Sequence, residues 1–406
     1  MKACAILRAL LPALLCATAA TAAAAQETPP RDPVDDTTMR LGPFGFTPVI
    51  NFHDIGRDNN VFNESTNPKS DFTATLSPKL DMLVHPGPLL LTVTTSSDYV
   101  YFQTYKSERG TNLASSIRAD FAFGPLRPFV TVGGANTRDR LNREIDARAR
   151  HHDRSFGAGV RMQIVEGVFA TAGARRTTTA FDDDETFRGE NLAQALNEQM
   201  DAIDAGVGVA ITPLTTVSVT VTSERDRFEL SPERDSDTLR IMPTVTFSPL
   251  AILNGTASFG YRRFTTLSPL VPDYHGFVSQ LTLGTAIAEK HHLEGTFSRD
   301  VQYSYEEDAV YYIETGIQGQ WTWEIAGPID VHFVGSRSRL RYQGASLTDA
   351  NNTDWAFTYG TGVAWRARTY LKFGVNGDWR QRTSERGADR EFDNRRIYAT
   401  VTWGKQ

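Results

Sequence analysis

Cysteine is nearly absent: the 406 residues hold two, Cys4 and Cys16, both near the start. Nothing further along can form a disulfide, so an exported chain of this sequence must be closed by other means. Long hydrophobic runs are missing as well; no stretch reaches the ~18 apolar residues that a membrane helix requires. Mean hydropathy is low, −0.34. That value fits a soluble protein, and it fits equally a membrane β-barrel, whose strands are apolar on one side only. Positive charge is in deficit, 42 basic against 48 acidic residues, which argues against a nucleic-acid partner because phosphate binding wants a basic surface. Catalytic signatures are lacking: the chain has no Gly-x-Ser-x-Gly elbow and no His-Glu-x-x-His. The pairs His151–His152 and His291–His292 are adjacent, and neighbouring side chains on a strand point apart. The sequence therefore predicts no enzyme, no cofactor and no resident metal.

The first residues read as a secretory signal. Lys2 and Arg8 precede an apolar run over 9–15 and small residues over 17–25, which predicts cleavage after Ala25. The apolar run is too short to span a bilayer. Leu15 before Cys16 argues against a lipid-modified cysteine, where a small residue is expected. Removing Lys2 and Arg8 leaves 40 basic and 48 acidic residues, a net charge of −8. Residues 26–46, with Pro29, Pro30, Pro33 and Pro43, are expected to form an extended periplasmic leader without packed structure.

What the chain has in abundance is alternation. Over 353–366, Trp355, Phe357, Tyr359, Val363 and Trp365 fall on one face, and Asp354, Thr358, Gly360 and Arg366 on the other. After a turn at 367–369 the pattern resumes with Leu371, Phe373, Val375 and Trp379 opposite Lys372, Asn376, Asp378 and Arg380. A period of two means strand. Short turns at 85–88, 124–127, 165–167, 212–214, 248–250, 288–290, 326–328 and 367–369 recur along 47–406. Longer polar connections lie between them. This strict sorting predicts an all-β fold: a single transmembrane antiparallel up-and-down β-barrel of about 18 strands, 16 being the alternative, with short periplasmic turns and long outer loops. A soluble sandwich has no reason to sort its connections this way.

The tryptophans decide whether the apolar face meets lipid or a core. All six (Trp321, Trp323, Trp355, Trp365, Trp379, Trp403) lie in the apolar register and toward strand ends. Tyr99, Tyr101, Tyr261, Tyr303 and Tyr305 are expected to join the outer set. Two aromatic girdles mark two membrane–water interfaces. The opposite face carries Lys79, Asp98, Arg118, Asp120, Arg161, Arg240, Arg262, Glu314, Lys372 and Asp378, the candidate lumen lining of a polar interior. Two strands fit badly. Arg337, Arg339 and Arg341, and separately Arg299, fall in the apolar register; a β-bulge would turn them inward, or they stand above the apolar band. Residues 129–135 resist registration, and 191–202 admit a short helix.

The third outer loop, 136–154, is strongly charged, and the fourth carries an acidic run. Arg138, Arg140, Arg143, Arg148 and Arg150, with Asp182, Asp183 and Asp184, are candidates for a charged pore constriction; the alternative is a solvated surface. The run 182–185 lacks the spacing of a dedicated calcium loop.

At the start of the barrel, Asp58-Asn59-Asn60-Val61-Phe62 follows a first strand, and Ser77-Pro78-Lys79-Leu80 lies in the next. This resembles the bacterial family of outer-membrane β-barrel porins associated with exopolysaccharide or capsule export. Asn59 departs from that pattern, as does the end of the chain, which runs on past Trp403 to Gly404, Lys405 and Gln406. The resemblance implies a porin-like barrel with a polysaccharide role and assigns no functional residues. The expected partners are outer-membrane lipid and lipopolysaccharide, the barrel-assembly machinery, and small solutes or polysaccharide. The competing reading is a non-transporting barrel that presents its loops for structural or binding roles.

Overall fold

The computed structural model describes residues 32–344 and 352–405. The signal assigned to 1–25 lies outside the described residues. The barrel strands are β1 (Phe44–Asp58), β2 (Asp71–Val84), β3 (Leu89–Phe102), β4 (Gly110–Phe121), β5 (Leu126–Asp139) and β6 (Ala149–Val165). They continue as β7 (Val168–Phe181), β8 (Glu198–Thr212), β9 (Thr215–Phe228), β10 (Ser236–Phe247), β11 (Leu253–Thr266) and β12 (Tyr274–Ile287). The last six are β13 (His291–Tyr303), β14 (Tyr311–Ala326), β15 (Ile329–Gln343), β16 (Thr353–Arg368), β17 (Leu371–Ser384) and β18 (Phe392–Gly404). Each pairs antiparallel with its chain neighbours, and β18 closes on β1 between Val49↔Gly404 and Asp58↔Arg396. The result is a closed 18-stranded barrel, which leaves no open sheet edge in lipid.

Eight short and nine long connections alternate, as the sequence predicts. Two of the two-residue short turns use left-handed backbone, supplied by Gly167 (φ +75°) and Gly327 (φ +51°). The turn between β12 and β13 makes the same demand of Ala288 (φ +51°) and Glu289 (φ +58°), which meet it less comfortably.

The alternation sorts inside from outside. Tyr359, Val363 and Trp365 stand about half exposed on the outer face of β16, while Ala364 between them is 6% exposed. Half-exposed aromatic and branched side chains repeated around the wall are the surface that lipid covers. Trp321, Trp323, Trp379 and Trp403 belong to it, with Tyr99, Tyr101 and Tyr261.

The structure departs from expectation in five places. Tyr305 is 3% exposed and packs with Phe187 and Ile145, while Tyr303 meets Phe228 edge to face; these two tyrosines serve loop packing instead of the girdle. The ladders through Arg299, Arg337, Arg339 and Arg341 show no register shift, so no bulge turns them inward. Residues 129–135 lie within β5, with Val130 and Val132 outward. The helix of the fourth outer loop is a single turn, Leu192–Leu196, capped by Asn191, and Glu198 already pairs with β7. Finally, the segment before the barrel is partly packed. A 3₁₀ turn over Pro33–Asp36 buries Val34, and Met39–Leu41 pairs with Phe44–Phe46 of β1. The cause is topological: β18 ends opposite Val49, so the first residues of β1 would otherwise present an unpaired edge. The barrel thus starts at Phe44, three residues before the predicted Thr47.

Candidate functional site

The third outer connection, 140–148, joins β5 to β6 and folds into the barrel. Asn142 nucleates its bend: its side-chain oxygen accepts from the backbone N–H of Glu144 and of Ile145, both at 2.8 Å. At the apex Arg143 forms an ion pair with Glu314 on β14. β14 lies nine strands from β5 in a barrel of 18, the farthest point of the wall. Four extended residues reach only ~14 Å, so the loop and the two side chains together cross the lumen.

Three further groups hold the loop down. Arg382 on β17 donates from Nη1 to the carbonyl oxygens of Glu144 (2.9 Å) and Arg143 (3.4 Å) and to Asp146 Oδ2 (3.3 Å). Ser304 Oγ donates to Glu144 Oε1 at 2.6 Å. Asn63 Nδ2 donates to the Asp146 carbonyl at 3.2 Å. Glu144 and Ile145 are fully buried. Ile145 enters an apolar cluster with Phe187, Leu192, Leu196, Phe228 and Tyr305, so the fourth connection packs onto the third. Burial pushes the Glu144 carboxyl up to about 7, against the Ser304 hydroxyl and the Arg390 and Arg382 guanidiniums, which pull it down. Asp146 is raised by the same cause.

Behind this loop sits a polar cluster on the opposite wall. Asp354 is fully buried and is held by Arg382 and by Arg390, whose Nη2 stands 2.9 Å from Asp354 Oδ2 and donates at 2.6 Å to the Tyr342 hydroxyl. Glu306 pairs with Arg390 and Arg386. A buried charge survives only when paired, and here the pairing fixes the anchor to which the loop binds.

The eight candidate constriction residues are not all brought together. Arg140 donates to the Val61 carbonyl at 2.9 Å and Arg143 reaches Glu314, so these two extend inward. Arg138 and Arg148 are tied to the β3–β4 connection through the Glu108 side chain and carbonyl. Arg150 pairs with Asp182 at 3.7 Å. Asp183 and Asp184 are exposed. Among the described residues no group of three or more His, Cys, Asp or Glu is arranged to hold a metal. Of the residues that anchor the loop, Arg382, Ser304 and Asn63 were not singled out by sequence as lumen groups, whereas Asp354 was read as a lumen or rim group. The available signal was an arginine in the inward register at the outer end of β17.

The ten lumen candidates lie on the inward register, and they are answered by partners. Lys79 pairs with Asp81 (2.9 Å), Arg118 with Asp120 (2.7 Å), and Arg161 stacks 3.5 Å from the centre of Phe169. Arg240 and Arg262 meet on Asp300 (3.0 and 2.7 Å), Glu314 on Arg143, and Lys372 on Asp330. At the seam a hydrogen-bonded ladder runs from Asp378 through Arg396 (2.6 Å), Asp54 (3.4 Å), His53 (2.9 Å) and Ser77 (2.9 Å) to Asp98 (2.6 Å). Above this ladder a cavity of about 260 Å³ opens beneath the loop, lined by Asp54, Asp58, Asp98, Arg138, Arg140 and Arg396 among others.

A family model described as "Putative beta-barrel porin 2" matches residues 32–405. The chain belongs to this porin family. It resides in the bacterial outer membrane and forms a porin-like β-barrel channel. No curated protein matches its sequence. Among solved structures, a BenF-like porin from Pseudomonas fluorescens Pf-5 is 12% identical, with 88% of this chain and 98% of that chain covered and a TM-score of 0.50. OprD of Pseudomonas aeruginosa is 11% identical over 88% and 94%, with a TM-score of 0.46. Identity this low speaks to the fold alone.

Proposed function

We propose that this porin is a passive channel for small hydrophilic solutes whose throat is the connection 140–148. The observation that carries this is the Arg143–Glu314 pair, which joins the loop apex to the strand opposite its root. A wide 18-stranded barrel without inserted loops leaves an open aqueous lumen; here the loop narrows it near the outer mouth. Both signs of charge face the space under the loop, so solutes would be sorted by size and by charge distribution as they displace water from these groups. The polysaccharide-conduit reading gains no support from the porin relatives, and a loop bridging the lumen leaves poor clearance for a polymer. Asn394 Nδ2 donates to Asp58 Oδ1 (2.8 Å) and to the Asn60 carbonyl (2.6 Å), so the Asp58–Phe62 motif locks the first outer loop to the last strand. Val61 and Asn63 then dock the throat loop. That gives the motif a place in the throat without any polymer.

The test is single-channel conductance in planar bilayers. Replacing 140–148 by a two-residue Asn-Gly turn should raise conductance severalfold and weaken ion preference. Unchanged conductance and preference would refute the reading.

A further inference from the structure

The outer face of β15 breaks the apolar rule. Its inward residues Ser338, Leu340 and Tyr342 are at most 1% exposed, so Arg337, Arg339 and Arg341 between them face outward. Arg299 joins them from β13 through the register Arg299↔Thr315↔Arg339. Four guanidiniums therefore gather on one piece of membrane-facing wall. With Phe297, Ile317 and Trp355 they line a cavity of about 330 Å³.

The local partners of Arg299, Arg337 and Arg339 leave positive charge unanswered. Arg337 and Arg339 lie 4.1 and 5.4 Å from the centre of the same Trp355 ring. Arg299 donates to Thr315 Oγ1 at 2.8 Å, and Arg339 to Thr353 Oγ1 at 3.5 Å. Among the described residues no carboxylate pairs with Arg299, Arg337 or Arg339. Two other outward arginines are paired within the wall, Arg176 with Asp201 (2.6 Å) and Arg227 with Asp237 (2.7 Å).

The height of the cluster indicates what supplies the missing anion. A strand tilted about 40° climbs ~2.5 Å per residue along the membrane normal, which puts Arg337 ~20 Å and Arg341 ~30 Å above Ile329 at the short-turn end. The apolar band is ~25 Å tall, so the cluster straddles its outer boundary. Phosphates of the outer leaflet lie at that level. Arginine forks match phosphate oxygens in pairs, and Phe297, Ile317 and Trp355 offer an apolar floor for acyl chains.

We propose that Arg299, Arg337 and Arg339 form a binding site on the outer wall for the phosphorylated headgroup of lipopolysaccharide. The lipid would lie against β13–β16. The inner faces of these strands carry Glu314 and Asp354, so the bound lipid braces the wall that anchors the throat.

The test uses the full chain in neutral detergent, titrated with lipid A followed by native mass spectrometry. Arg337→Gln/Arg339→Gln should weaken binding by about tenfold or more, as loss of charge-assisted phosphate contacts demands. A charge-matched control, Arg225→Gln/Arg263→Gln, should leave affinity within about twofold. Enzymatically dephosphorylated lipid A should bind the unaltered chain as weakly as lipid A binds the patch variant. Millimolar inorganic phosphate should not displace the lipid. Because Gln on the lipid face leaves every ladder bond intact, heat-modified migration should verify folding of both variants. Equal affinity of the patch variant, an equal loss in the control, tight binding of the dephosphorylated lipid, or displacement by free phosphate would each overturn the assignment.

Discussion

Arg382 is the residue on which the docked throat loop depends most. It is 2% exposed and donates to three acceptors on the loop, the carbonyls of Arg143 and Glu144 and the carboxylate of Asp146. Arg382→Ala removes all three. Charge-assisted hydrogen bonds contribute about 1.5–3 kcal/mol each, and these share one guanidinium nitrogen, so ~3 kcal/mol of docking energy is the expected loss. Asp354 keeps Arg390 at 2.9 Å, which spares the variant the full cost of a stranded buried carboxylate. A change of ~3 kcal/mol multiplies the undocked population on the order of a hundredfold. Trypsin reads that population directly, since Arg140, Arg143 and Arg148 all lie on the loop. Nicking within 140–148 should accelerate by about that factor, and open-channel probability in bilayers should rise with it. Arg382→Lys keeps the charge and loses the fork, so it should fall between. The barrel ladder is untouched, and the heat-denaturation temperature should move little. Nicking at the unaltered rate, or a collapse of the whole barrel, would show that Arg382 is not the loop's anchor.

Other expectations concern pH and assembly. The Glu144 carboxyl has a raised pKa, so the docked loop binds its proton more tightly than the free loop does. Docking is strongest below the free-carboxyl value of 4.5 and weakens as pH rises through about 7, by roughly 3 kcal/mol over the window. Open probability should therefore climb between these values and level off above them, and Glu144→Gln should flatten the profile. Gly56 lies at the bulge of β1 where the barrel closes, and an added Cβ would stand 2.0 Å from the Ile397 carbonyl oxygen. Gly56→Ala should destabilise the closed barrel by about 1–3 kcal/mol, seen as heat-modified migration at lower temperature. Replacing Ala288-Glu289 by Asn-Gly relieves two left-handed side-chain positions and should raise that temperature, at about 1 kcal/mol of gained stability.

The barrel was legible because lipid on one side and water on the other impose a period of two along every strand. Trp355 to Trp365 shows this without any tertiary knowledge. Arg337, Arg339 and Arg341 break the hydrophobic period, yet the register is unshifted and the outer surface itself is charged there. The throat was legible only in part. A charged loop reads the same whether it lies in solvent or across a lumen, and what decides is whether the opposite wall supplies partners. Those partners are single residues on distant strands, Glu314 and Arg382, and on other outer connections, Ser304 and Asn63. Ile145, with Leu141, Ala147 and Ala149 the apolar members of 138–150, was the local hint of burial. Tyr303 and Tyr305 show the converse, since aromatic residues just above the girdle can be claimed by folded loops.

The tip of 140–148 meets the far wall at Glu314. Arg143→Cys/Glu314→Cys, treated in intact outer membranes with a short bis-maleimide, measures this directly, because the two cysteines of the chain, Cys4 and Cys16, lie in the segment assigned to the cleaved signal. The expected result is an efficient intramolecular cross-link that holds conductance low. Absence of the cross-link while each single cysteine labels freely would contradict it.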